Sequence, residues 1–391
     1  MSMVKRLLWA FLGGFVAVLV FLANTSSKLS LGLETELIEK YEALKAIVNG
    51  ERSQNIAHDV LMIDITYDRQ LTDVYDDIGM PIGNTDLTDR YKLFELLKYL
   101  HDNVSYRFVV LDVELSERGP RTEIDDSLCN VICSMNNILI PYPTNGNSLE
   151  RRIEQKSASA YYIANLWNDK CSKYSLYNDN KPTIAMKMYQ EMTESEFKSF
   201  LGIAWTKDGL LPSALPVSLI YAVYGPYWSD GQKTYYRLGA DILDSGDISN
   251  IKEMANNKLV LIGDFEERDM HDTYIGSQPG ILIHYNAFKA LEDHRAFLGY
   301  FFLFCLWLFC FIISVFQLND ISLASIISRL MRVKSSIWKT ILLWVDYVII
   351  LNVFCILAYI FTHNIFEVLS LSFYFPLQTK FFELCKRKQL L

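Results

Sequence analysis

Signatures of catalysis and of nucleotide binding are missing from this 391-residue chain. No GxxxxGK(S/T) phosphate loop, GxGxxG turn, HExxH helix or GxSxG elbow occurs in it. Its six histidines are scattered and form no close pair. A basic excess is lacking too. The formal net charge is −8, which argues against a nucleic-acid partner, since phosphate backbones are met by basic surfaces. There is no internal repeat and no low-complexity linker. Seven cysteines are too many to ignore and cannot all pair within one chain. Cys305, Cys310, Cys355 and Cys385 lie in or beside apolar runs and are expected as free thiols. Cys129 and Cys133 sit one helical turn apart. Either one of them bonds Cys171, or all three are buried thiols.

What the chain does have is hydrophobicity, 51% of its residues, gathered into four runs. These are Leu7–Ala23, Phe297–Phe316, Thr340–Phe361 and the weaker Ile365–Gln378. A bilayer core is crossed by about 20 apolar helical residues, and Phe297–Phe316 contains no charge. About 270 residues of ordinary soluble composition separate the first two runs. The sequence therefore predicts residues 1–23 as a cytoplasmic N-terminus and anchor, 24–296 as an exported domain, and 297–391 as three further spans. Basic residues set the orientation. Lys5 and Arg6 precede the first span. Arg329, Arg332, Lys334 and Lys339 follow the second. Lys386, Arg387 and Lys388 follow the fourth, while the short loop at Thr362, His363 and Asn364 has no Lys or Arg. A cleaved signal peptide would want small residues at two nearby positions. Ala23 is one, but Phe21 stands where the other belongs, so an uncleaved anchor is expected. The expected location is the inner (cell) membrane of a bacterial-type cell, with the large domain outside and the C-terminus inside. Asp346 is the central charge of the spans, either functional or paired with Lys339 or Arg332 near the interface. Ile321–Met331 reads as an amphipathic cytoplasmic stretch.

Within the middle, Leu31–Val48 has helical spacing and is expected to continue the first span outward. Asp59–Asp64, Phe108–Leu115, Ile138–Pro143 and Lys258–Phe265 read as apolar strands. A helix capped at Thr85 or Asp86 runs to about His101, and another covers Glu123–Met135. Alternating strands and helices predict an α/β domain with a mostly parallel sheet flanked by helices. The near-continuous apolar strands imply burial on both faces. Asn145–Leu201 has no sustained period and is expected as an insertion over the sheet. Leu211–Tyr224 reads as helical, and a last helix spans about Ile283–Glu292.

These segments resemble the CHASE domain of the second type, the exported sensory module associated with cyclases and histidine kinases. The most specific stretch is Leu259–Leu291, with Ile262-Gly263, Asp272, Pro279-Gly280, His284, Asn286 and Ala287 in the family's order. LMIDITYD, DRYKLFELLKYL with Arg90, VVLDVELSE and IDDSL match more loosely. One anchor before the domain and three spans after it is also the family's arrangement. The resemblance implies sensing rather than catalysis. Two departures stand out. Asp264, Phe265, Glu266 and Glu267 replace the small residues usual after Ile-Gly. Only Phe381–Leu391 follows the last span, so a signalling output is expected on a separate cytoplasmic partner.

Open parallel sheets bind ligands beyond the carboxyl ends of their strands. Asp64, Asp68, Asp112, Glu114 and Asp264 fall at such ends, and His271, Asp272 and His284 follow in the segment expected to close over them. The candidate ligand-binding set is Asp64, Asp112, Asp264, Asp272 and His284. Such carboxylates and an imidazole suit a polar ligand or a divalent cation; as caps they would bond loop amides. No catalytic residue, resident metal or cofactor is assigned. The expected partners are the lipid bilayer, an unknown small ligand or envelope protein, and a cytoplasmic signalling protein. The rival functions are a non-enzymatic scaffold subunit of an envelope complex and a membrane-anchored hydrolase using the acidic cluster.

Overall fold

The computed structural model describes residues 3–30, 34–49, 58–75, 78–115, 118–141, 152–179, 181–216, 219–228, 231–244, 248–319, 321, 336–362 and 366–387. Its centre is a six-stranded sheet. The strands are β1 (Val60–Asp64), β2 (Phe108–Leu111), β3 (Ile138–Pro141), β4 (Ser157–Ala158), β5 (Tyr236–Arg237) and β6 (Leu259–Gly263). Their order is β5-β1-β6-β2-β3-β4, and every pairing is parallel. The four apolar strands read from the sequence are adjacent in the sheet, as β1-β6-β2-β3. Apolar runs of four or five residues suit such strands because both faces are covered.

The period of two sends alternate residues to opposite cores. Met62, Val110, Leu139, Leu259 and Leu261 face one side, against helices α5 (Ile184–Thr193) and α7 (Gly280–Glu292). Ile63, Val109, Leu111, Ile138, Val260 and Ile262 face the other, against α3 (Arg90–Asn103) and α4 (Thr122–Ser134). Each such buried side chain is worth about 1.5–3 kcal/mol.

Several expectations are corrected. α3 begins at Arg90, because Asp89 accepts from the amides of Tyr91 and Lys92. Thr85 and Asp86 lie instead in a strand, Pro81–Thr88, of a long hairpin with Arg69–Tyr75. Leu211–Tyr224 is not a helix. Pro212 and Pro216, which lack the donors a helix needs, end the short strands Gly209–Pro212 and Ala214–Pro216. Residues 219–223 are held by side chains instead: Tyr274 Oη accepts from Leu219 N, Asn286 Oδ1 from Ile220 N and Tyr221 N, and Gln278 Oε1 from Val223 N. Asn145–Leu201 is more than an insertion: beyond residue 151 it supplies β4, α5 and the strands Tyr162–Ala164 and Cys171–Ser175. All seven cysteines are free, with Cys129 and Cys171 buried but Cys133 exposed.

Helix α1 (Met3–Ser26) ends in a turn and does not run on continuously into α2 (Glu34–Asn49). α1 and α8 (Tyr300–Leu318) are long and apolar enough to cross a membrane. That is two helices among the described residues, where four were expected. Within α9 (Ser336–Thr362) the apolar stretch Trp344–Ile360 is shorter, and α10 (Leu369–Arg387) is interrupted by Pro376, Gln378 and charge. All four nevertheless pack around one cluster that includes Phe21, Leu306, Leu351 and Phe375. Asp346 is buried within α9. The stretch Ile321–Met331 lies, apart from Ile321, outside the described residues, as do Arg329, Arg332 and Lys334.

Candidate functional site

The register aligns the strand ends. Asp64 pairs with Gly263, and Ile262 with Leu111, so Asp64, Asp264 and Asp112 all emerge at the carboxyl edge. They fall into two groups there.

In the first group Thr66 joins Asp64 to Asp264. Its hydroxyl lies 2.5 Å from Asp64 Oδ1 and 2.9 Å from Asp264 Oδ1. The hydroxyl thus bridges the two carboxyl groups. Burial raises the pKa of Asp64, against opposing bonds from Thr66 and the Phe265 amide. Asp264 goes the other way. Burial works against its charge, but the amide of Glu267, the Thr66 hydroxyl and the amide of Glu266 outweigh it and lower its pKa. Arg69 adds an ion pair at 3.2 Å. Asp264 is thus a saturated loop anchor. Asp64 is not saturated: its buried Oδ2 has no hydrogen-bond partner among the described residues, and Arg237 Nε stands 3.9 Å away. Arg237 pairs with Glu266 at 2.6 Å and lies over the ring of Tyr67 at 5.0 Å. This makes a half-exposed rim of guanidinium, carboxylate and phenol.

The second group is a chain that runs from the half-exposed Asp269 and His271 to the buried His284. Burial and the neighbouring carboxylate of Asp269 push the Asp112 carboxyl well above its ordinary range, and the two acids share a hydrogen bond. Asp269 reaches His271 Nε2 at 2.9 Å, and His271 Nδ1 lies 2.6 Å from Tyr162 Oη. His284 Nε2 is 3.9 Å from Asp112. Burial lowers the His284 pKa to about 4 and so disfavours the charged imidazolium at this contact. His284 Nδ1 meets Tyr174 Oη at 3.0 Å. Asp272 is apart from both groups, exposed on a hairpin opposite Ser277.

Residues 15–318 match the CHASE2 domain family. The chain belongs to that family. CHASE2 domains are sensory extracellular domains, and the match covers the whole sheet, α1 from Phe15 onward, and α8. No curated protein and no solved structure matches the chain.

The family motif can now be read physically. A Cβ on Gly263 would press within 3.3–3.4 Å of Ile281 and Asp112, so the glycine lets α7 close over the CHASE2 sheet. A Cβ on Gly280 would collide with the Asp269 carboxylate. Gly280 N donates to Asp269 O at 2.7 Å, and the Pro-Gly pair thus sets Asp269 against Asp112. Asn286 makes four hydrogen bonds, two accepted and two donated, and pins residues 220–221 to α7. Sequence reasoning missed Thr66, Asp269, Tyr162, Tyr174 and Arg237. Asp269 stands three residues before Asp272 in one acidic run, and only the hairpin's start against Gly280 selects it. The tyrosines fall in the aperiodic stretch.

Proposed function

We propose that this CHASE2 protein is a membrane-anchored extracytoplasmic sensor without catalysis of its own. A polar ligand or partner binds at the carboxyl edge, at Asp64 Oδ2 and the Arg237–Glu266 rim, and the spans pass the event to a separate cytoplasmic protein. Asp112, Asp269 and His284 form the support behind that rim. The observation carrying the reading is family membership combined with a buried junction between domain and spans. Lys173, fully buried in the strand Cys171–Ser175, pairs with Glu367 at 2.9 Å and donates to the carbonyls of Asn24 and Leu29. Glu367 also accepts from Ser30 at 2.6 Å. One residue along, Tyr174 holds His284. A movement at the edge therefore has a contiguous route to the outer end of α1 and to the segment before α10. Transmission further needs a ligand that favours one arrangement of the spans over another.

Four membrane-crossing helices are part of this reading. The outward faces of all four are apolar, including Phe11, Phe304, Phe373 and, at every fourth residue of α9, Ile341, Val345, Ile349, Val353 and Leu357. The test is affinity isolation of the intact protein from native membrane. A co-purifying cytoplasmic signalling protein, lost with Asp64→Asn or Lys173→Met, is the expected result. Co-purification of an envelope assembly alone, unaffected by Asp64→Asn, would favour the scaffold.

A further inference from the structure

The turn at Leu201-Gly202 breaks a local rule. Phe200 pairs with Ile203, so the two residues between them close a two-residue hairpin. Both have positive φ, +51° for Leu201 and +76° for Gly202. That turn selects Asn-Gly or Asp-Gly, and a leucine in the left-handed region is strained. Leu201 is also 83% exposed. An apolar side chain placed at a strained, protruding tip contributes nothing to the core.

The strand Ile203–Thr206 explains where that tip points. Ala204 and its partner Leu211 belong to the core of the exported domain. Ile203 and Leu210 belong to the cluster of the span helices. The two sides of this small sheet thus face different bodies, the domain on one side and the outer end of the bundle on the other. Successive residues alternate, so Trp205 shares the bundle side with Ile203. Phe200, opposite Ile203, shares it too. Both are open, 68% for Phe200 and 63% for Trp205. The hairpin is also tied to both flanking spans. Ser213, bonded to Gly202 O, donates its hydroxyl to Ser26 O at the end of α1. Leu210 and Leu298 exchange backbone hydrogen bonds, and Tyr300 Oη donates to Thr206 O. Exposed Tyr300 and Phe301 open α8 beside it.

We propose that Phe200, Leu201 and Trp205, with Tyr300 and Phe301, form a shelf that inserts into the outer lipid interface. The exported domain would then contact the bilayer directly. Lipid is the occupant because the patch stands beside Tyr300 and Phe301, where the apolar outer face of α8, with Phe304 and Leu308, begins. Aromatic rings favour that interfacial depth. The inference rests on the membrane-anchored reading above.

The test reconstitutes the full chain in phosphatidylcholine bilayers carrying bromine at shallow or deep acyl positions. Tryptophan emission of the wild type is compared with Trp205→Phe and Trp307→Phe. The emission removed by Trp205→Phe should be quenched by shallow bromine and shielded from aqueous iodide. That removed by Trp307→Phe, within α8, should be quenched by deep bromine. Quenching of Trp307 with an iodide-accessible, bromine-insensitive Trp205 would overturn the shelf and leave the anchor standing. Quenching of neither would overturn both. Leu201→Asn, which suits the turn, should keep or raise the melting temperature in micelles and weaken the bromine quenching of Trp205. A lower melting temperature would mean that Leu201 serves packing within the chain, and would also overturn the proposal.

Discussion

The sheet domain and the helix bundle are built inside out with respect to each other. The domain buries Leu61, Val109, Ile138 and Ile262 and exposes charged residues such as Lys98, Asp102 and Arg152. The bundle buries Ser314, Gln317, Ser372 and Gln378 and exposes Phe301, Phe304, Ile349 and Leu377. Inside it, Gln317 donates to Tyr347 Oη at 2.8 Å and Gln378 to Ser314 Oγ at 3.1 Å. Hydrophobic burial can drive the first arrangement in water. The second makes sense where the surroundings are themselves apolar and polar groups must find each other. The difference also explains why α10 fails a simple hydropathy test: its polar residues Ser372 and Gln378 point inward. At the junction of the two bodies the chain places Lys173 and Glu367 in a buried pair.

The most damaging way to break this contrast is Leu261→Asp. It places a lone carboxylate between two covered faces, at a cost of several kcal/mol against a total stability of about 5–15 kcal/mol. Loss of a cooperative melt in micelles is expected, and an unchanged melting temperature would remove β6 from the core. At the junction, Lys173→Met leaves Glu367 buried without its partner, and about 3–5 kcal/mol should go. The double variant Lys173→Met/Glu367→Met should recover much of that, which a double-mutant cycle in melting measurements reads directly.

The pH dependence sharpens the picture of the second group. His284 titrates near 4 in the fold and near 6.5 when unfolded, so the unfolded chain binds more protons between those values. The stability it contributes is full above about 6.5 and is lost as pH falls towards 4. Asp112, raised by burial and Asp269, has the opposite sign: its contribution is full below the unfolded value of 3.8 and is lost as pH rises through its raised pKa. Asp112→Asn should therefore steepen the fall of melting temperature on acidification, and His284→Gln should flatten it. Within the bundle the expected effect is smallest. Gln378→Leu removes one interhelical hydrogen bond, about 0.6 kcal/mol, and should lower the melting temperature slightly.

The strands β1, β2 and β6 were legible because a fully covered strand is an uninterrupted apolar run, and their aligned ends made Asp64, Asp112 and Asp264 legible with them. The start of α3 was not. Thr85, Asp86 and Asp89 are all capping types, and only the pairing of Pro81–Thr88 with Arg69–Tyr75 leaves Asp89 as the cap. Leu211–Tyr224 misled because its apolar spacing was given more weight than Pro212 and Pro216. The grouping of the site was hidden for a similar reason. Thr66, Asp269 and Tyr174 owe their roles to a tight turn, a hairpin and a separate small sheet, which leave no period in the sequence. Asp272 was the acid whose motif position suggested a role, yet it is Asp269 that the fold sets against Asp112.

An exported sensory domain held between spans whose other ends reach the cytoplasm requires one fixed topology. Reporter fusions in the intact chain test it most directly, since short loops obey the positive-inside bias best. Fusions after Thr25 and Asp293 are expected to score as exported, and one after Ser335 as cytoplasmic. An exported signal at Ser335, or a cytoplasmic one at Asp293, would contradict the account.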